Sequence, residues 1–385
     1  HRRVNPRQSM LLINSMKKIL FVFGTRPEAI KMAPIIHEAK KHADELEVKV
    51  CVTGQHKEML QQVMDFFQLT EDYNLHLMKP GQTLFDITAD GLRALEKMLD
   101  DYTPDIMLVQ GDTTTVFTAA LAAFYKKIKI GHIEAGLRSF DKYSPFPEEI
   151  NRKLTGALTD FHFAPTVKAK ENLEHENIHR NIFVVGNTVI DALLWAVDKV
   201  RTDNRYQSFF SFLDPEKRTV LITGHRRESF GKPFENICDA ITTLAEKYPG
   251  MQFVYPVHLN PNVQQVVKER LSGYPNIFLI APLPYPQLVW LMDQCHFVIT
   301  DSGGIQEEAP TLGKPVLVIR DITEREEGIA AGTALLVGTS KERIVAEATK
   351  LIDDAESYKK MSKAVNPYGT GDSATQIVKI LLKEL

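Results

Sequence analysis

Cysteine is scarce. Cys51, Cys238 and Cys295 are the only three in the chain, far apart and in no C-x-x-C spacing. That argues against a cysteine-built zinc site or a disulfide framework and fits a reducing compartment. No apolar run approaches the ~18 residues that a membrane-spanning helix needs. The early basic stretch leads into a run broken by Lys17 and Lys18, so no signal peptide is expected. An excess of charge of one sign is also lacking. Lys and Arg total 46 against 49 for Asp and Glu, a net charge of -3, so no broad positive field exists to hold a nucleic acid. The histidines show no H-E-x-x-H spacing, and there is neither a G-K-[ST] phosphate loop nor a G-x-S-x-G elbow. These gaps leave a cytoplasmic protein with no metal, no nucleic-acid partner and no membrane.

What is present is ordinary globular composition, 44% hydrophobic and 25% charged over 385 residues, enough for two or three domains with full cores. Residues 1–15 lack periodicity and are set aside as an expression scar or a misassigned start. From residue 16, short apolar runs alternate with helical patterns. KILFVF ends at Gly24 and is followed by a helix start in which Thr25 and Glu28 fit a capping box. Runs at 48–54, 105–112 and 128–136 repeat the unit, and a second series follows at 219–225, 251–258, 277–283, 297–304 and 315–321. The expectation is an α/β fold of two Rossmann-like doubly wound domains, with a hinge near residues 185–187 or within the polar, weakly periodic stretch 198–217.

In open α/β sheets ligands sit beyond the carboxyl ends of the strands, and here those positions are densely polar. GTRPE places Arg26 at a helix N-terminus, where free N–H groups favour an anion, with Lys31 one to two turns on. TDSGGIQEEA offers Ser302 as a cap and Gly303 and Gly304 for close backbone approach to a diphosphate, with Glu307 or Glu308 placed for a ribose diol. Asp112, Glu134 and Glu148 follow neighbouring elements, and carboxylates converging on one cleft raise each other's pKa, as acid and base work near neutrality requires. The alternative is that Arg138 and Arg152 simply neutralise them. His225 follows a strand in TGHRRES, where phosphate contact, proton transfer or a structural role all remain open. Arg320 and Arg325 follow the last long run, either reaching an anion or pairing with Glu324, Glu326 or Glu327.

Together GTRPEAIKMAP, GDTTT, HIEAGLR, YSPFPEEINR, TGHRRESFG, YPVHLNPNV, TDSGGIQEEAP and NPYGTGDSA closely resemble the non-hydrolysing UDP-N-acetylglucosamine 2-epimerases of bacteria. The resemblance implies a glycosyltransferase-B-like pair of domains facing a central cleft, divided at 16–186 and 187–366, with a C-terminal helix in 367–385 packing back on the first. It implies a homodimer without cofactor that interconverts UDP-GlcNAc and UDP-ManNAc through UDP and 2-acetamidoglucal, for surface polysaccharide. A glycosyltransferase using a UDP-sugar donor is the alternative on the same fold. Carried over residue by residue, the resemblance makes Asp112, Glu134, Glu148 and His225 catalytic. Arg26, Lys31, Arg152, Ser302, Gly303, Gly304, Glu308 and Arg325 become substrate contacts, His225 also lying on the diphosphate side. A second UDP-GlcNAc, bound as activator, would meet Gln55, Glu149 (or Glu148 beside it) and Arg227, although Gly81 and Glu58 depart from relatives that carry Arg and Gln there. Gln110 stands where His is usual.

Overall fold

The computed structural model describes residues 16–385 except Gln55, His56, Met78, Pro80, Arg227 and Glu228. Gln55 and Arg227, expected as effector contacts, therefore lie outside the described residues. The first sheet takes β1 (Lys17–Phe23), β2 (Leu46–Val52), β3 (Tyr73–Asn74), β4 (Ile106–Gln110), β5 (Lys129–Ile133), β6 (Phe161–Ala164) and β7 (Ile182–Val184). All its pairings are parallel, in the order β3-β2-β1-β4-β5-β6-β7. The second takes β8 (Thr219–Thr223), β9 (Gln252–Pro256), β10 (Ile277–Ile280), β11 (Phe297–Thr300), β12 (Val316–Val318) and β13 (Ala334–Leu336). It too is wholly parallel, ordered β10-β9-β8-β11-β12-β13. Two doubly wound sheets with helices between strands are what the alternating runs imply.

Each expected run holds a strand, and all but the first are shortened at the carboxyl end, because the trailing residues belong to the loops that follow. β3, β6, β7 and β13 have no counterpart among the expected runs. They are two to four residues long, too short to develop a period.

The stretch at 198–217 is a correction. It begins as the end of the helix Thr188–Thr202 and continues into a second helix, Asn204–Phe209. Val200 and Phe210 are buried, and Phe210 stacks on Trp290 at 4.8 Å. Two well-spaced apolar anchors hold it while its polar residues face solvent. Helix Thr188–Thr202 packs on Arg26–Lys40 of the first half and Tyr285–Gln294 of the second, and Arg201 grips Asp293 with two hydrogen bonds of 2.6 and 2.9 Å. The C-terminal helix Ser373–Glu384 packs on Arg26–Lys40 and Thr188–Thr202, its Ala374 N–H donating to Asp191 at 2.9 Å. One apolar core consequently runs through both halves. Among the described residues no helix is long and apolar enough to cross a membrane.

Candidate active site

The strand orders reverse between β1 and β4 and between β8 and β11, the positions where open sheets leave a crevice. The loops leaving those four strands are GTRPE, GDTTT, TGHRRE and TDSGG, so topology alone gathers the motifs. Local bonds fix them. Glu28 accepts the N–H groups of Gly24 and Thr25 at 2.7 and 2.8 Å and the Thr113 hydroxyl at 2.5 Å, tying the β1 loop to the β4 loop. Gly111 turns at φ +84, open to glycine, and its carbonyl lies 2.7 Å from Nε2 of buried His132, which burial pushes down to about 3 and so keeps neutral. Glu134, directly after β5, sits at φ +64, a strained value for a residue with a side chain.

Asp112, Glu134 and Glu148 all line one cleft of about 670 Å³, with Lys31, Arg152 and Arg325 on its walls. The neutralising alternative is partly realised: Arg152 pairs with Asp112 and, at 3.2 Å, with Glu149. Arg138 also lines the cleft but is committed to Glu176. The Oε2 atom of Glu148 is buried and has no hydrogen-bond partner among the described residues, so this carboxyl retains an unused acceptor.

Glu134 is the opposite. Lys31 donates to both its oxygens at 2.6 and 2.7 Å, Gln110 to one at 2.5 Å and Asn187 to the other at 3.0 Å. Burial works to raise this carboxyl, but the charge and hydrogen bonds of Lys31, with Arg325 and Asn187, bring it below the usual range. Burial likewise works against the Lys31 ammonium, and Glu134 and Glu307 overcome it. Glu307 takes Arg325 Nε at 2.7 Å, yet burial still raises it. Its neighbour Glu308 has one donor among the described residues, the Tyr285 hydroxyl at 2.9 Å, and burial pushes it up to about 7.

Ser302 stands at the start of helix Gly303–Glu308 but makes no capping bond with its side chain, contrary to the capping expectation. Arg325 lies across Gly303, where an added Cβ would sit 3.4 Å from the guanidinium. Arg325 pairs with Glu307 rather than with Glu324, which pairs with Arg320. Arg26 is exposed at the first turn of its helix.

The geometry sets His225 apart from the carboxylates and Glu149 against its expected role. His225 is not brought to the carboxylates: its N–H and that of Arg226 donate to Asp301, and its ring stacks on His258 at 4.8 Å, with Nδ1 3.5 Å from Asp301. It belongs to the loop side that faces Ser302. Glu149, expected as an effector contact, is fully buried, its oxygens taken by the N–H groups of Ser139 and Phe140 and by Arg152. It clamps the 139–147 loop and has no face left for a ligand. Sequence reasoning passed over Asn187, Gln110 and Tyr285 as site residues. Asn187 lay in the expected hinge, and its place just after an apolar run and before a helix was the available signal.

Residues 38–382 match the family model described as UDP-N-acetylglucosamine 2-epimerase. The chain belongs to the UDP-N-acetylglucosamine 2-epimerase family. It is 53% identical to the enzyme of that name from Escherichia coli K12, over 94% of this chain and 98% of the other. The UDP-GlcNAc 2-epimerase of Neisseria meningitidis, solved bound to UDP-GlcNAc, is 50% identical, covering 95% of this chain and 100% of that one, with a TM-score of 0.89. A Methanocaldococcus jannaschii UDP-GlcNAc 2-epimerase, solved with UDP-GlcNAc and UDP, is 35% identical over 95% and 99%, with a TM-score of 0.79. The epimerase family is an isomerase family with two Rossmann-like domains, the architecture described above.

Proposed function

We propose that this epimerase interconverts UDP-GlcNAc and UDP-ManNAc by eliminating and re-adding UDP, with Asp112, Glu134 and Glu148 as its acid and base groups. The observation that carries the reading is the meeting of those three carboxylates in one cleft with Lys31, Arg152 and Arg325. The hydrogen at C2 of the sugar is not beside a carbonyl, so removing it directly leaves an unstabilised carbanion. Elimination avoids that difficulty. The C1–O bond breaks with its electron pair going to UDP, and a carboxylate takes the C2 proton as 2-acetamidoglucal forms. Protonation of C2 on the opposite face and return of UDP to C1 complete the inversion. Two faces require proton-transfer groups on both sides of the ring, and a departing diphosphate requires cations and helix ends. Arg26, Lys31, Arg325 and the Ser302-Gly303-Gly304 turn supply the second set, His225 stands beside that turn, and Glu308 takes the ribose.

Glu134 needs a donor to give way before it can exchange a proton with the sugar. Lys31, a point charge on a flexible stem, is suited to turn from Glu134 to the diphosphate. The relatives solved with UDP-GlcNAc and with UDP support the substrate class. Exposed Phe124, Tyr125 and Leu154 on neighbouring helices of the first half suit a homodimer. A cytoplasmic enzyme supplying surface polysaccharide completes the reading.

Proton NMR of purified enzyme with UDP-GlcNAc and no acceptor tests the function. Signals of UDP-ManNAc with the sugar still joined to UDP are expected. Free N-acetylmannosamine, or no conversion without an added acceptor, would overturn the reading in favour of a hydrolysing enzyme or a transferase.

A further inference from the structure

The join between the halves contains a short polar chain, three of whose members line the cleft. Lys31, Glu134, Asn187, Glu307 and Arg325 are linked in that order by bonds of 2.6, 3.0, 3.3 and 2.7 Å. Lys31 and Glu134 come from the first sheet's loops and helices, Glu307 and Arg325 from the second's. At the centre is one neutral group. The Asn187 side chain is 2% exposed. Its Oδ1 accepts the Val189 N–H at 3.1 Å and so caps helix Thr188–Thr202. With the oxygen committed to the cap, the NH₂ end must face the two carboxylates. Two buried carboxylates that converge repel each other unless donors stand between them. One amide here donates to both.

We propose that Asn187 is a positioning residue for the epimerase reaction, its side-chain amide holding Glu134 at the join of the two domains and keeping it in place as Lys31 turns to substrate. The inference rests on the reading of Glu134 as an acid/base group and assigns that group its support. Gln110 and Asn187 remain on Glu134 when the ammonium leaves, and Asn187 is the one of the two that also bonds Glu307 across the join. A structural cap alone would need only the Oδ1 atom.

The cap and the amide can be separated. Asn187→Ser keeps a capping oxygen but no group that reaches the glutamates. Asn187→Asp keeps the cap and the shape while replacing the donor by a third negative charge. Both remove a donor to the charged form of Glu134, and Asp adds repulsion, so both raise its pKa. The measurement is kcat and KM for UDP-GlcNAc across pH in wild type, both Asn187 variants and Glu134→Gln. The acid limb of kcat should move up by roughly half a unit in Asn187→Ser and roughly one unit or more in Asn187→Asp, with KM nearly unchanged. If the Asp variant does not fold, the Ser limb alone decides. A fall in kcat with no movement of the limb, or a change confined to KM, would overturn the inference while leaving the catalytic reading intact. Wild-type turnover in Glu134→Gln would overturn both.

Discussion

Glu134 and Glu308 stand on opposite walls of the join, both deeply buried, and burial raises the carboxyl of each. One carries four donor contacts, two of them from an ammonium, and ends below the ordinary range. The other has a single phenol and rises to about 7. Depth in the protein therefore does not decide the proton state; the number and charge of the donors do. The same contrast separates a carboxyl held charged until a donor leaves it from one that carries a proton near neutrality.

Replacing Glu134 should break the comparison most severely. Glu134→Gln is expected to lower kcat by roughly 10²-fold or more, measured by coupled assay or NMR, with Asp112→Asn and Glu148→Gln near the lower end of that effect. Wild-type rates in all three would remove the acid/base assignment.

Glu308 offers a test in stability. Its folded value near 7 lies above the ordinary 4.5, so the folded state holds the proton more tightly. The stability it contributes is whole below about pH 4.5 and is lost as pH rises to about 7. Glu134 works in the opposite sense: its contribution is present above 4.5 and lost as pH falls through its lower folded value. Glu308→Gln stays neutral, so against wild type it should gain on the order of 2 kcal/mol between pH 4.5 and 7 in urea unfolding. Parallel pH curves for the two proteins would contradict the assignment.

Smaller effects sharpen the picture. Arg26→Ala should weaken UDP binding by about tenfold in calorimetry, one charge-assisted contact being worth roughly 1.5 kcal/mol, and unchanged affinity would take Arg26 out of the site. Tyr285→Phe removes the phenol that donates to Glu308 and should cost about 1 kcal/mol near pH 8 and little at pH 5, where Glu308 is protonated. An equal loss at both pH values would mean that Tyr285 contributes through packing alone.

Much of this arrangement was legible in the residues themselves. Long branched runs such as KILFVF announced buried strands, and the polar clusters behind them marked the ligand side. The meeting of Asp112, Glu134 and Glu148 followed from their places after consecutive elements. Short strands such as Tyr73–Asn74 were invisible because two residues carry no period. The helix Asn204–Phe209 was hidden by its polarity, being held by Phe210 just beyond its end. Long-range pairings were the least readable. Nothing in one dimension says that Glu307 reaches Asn187, 120 residues earlier, or that Arg325 prefers Glu307 to the acids beside it. Glu149 shows the same limit, since an acid next to a catalytic candidate looks alike whether it faces a ligand or a loop's backbone.

Hydrogen exchange at C2 of the sugar reports most directly on whether these carboxylates move the proton. With UDP-GlcNAc in deuterated water, the wild-type enzyme is expected to place deuterium at C2 of both UDP-sugars as they equilibrate, and Glu134→Gln to lose exchange and epimerisation together. Epimerisation by wild type without deuterium entering C2, or exchange at the wild-type rate in Glu134→Gln, would contradict the account.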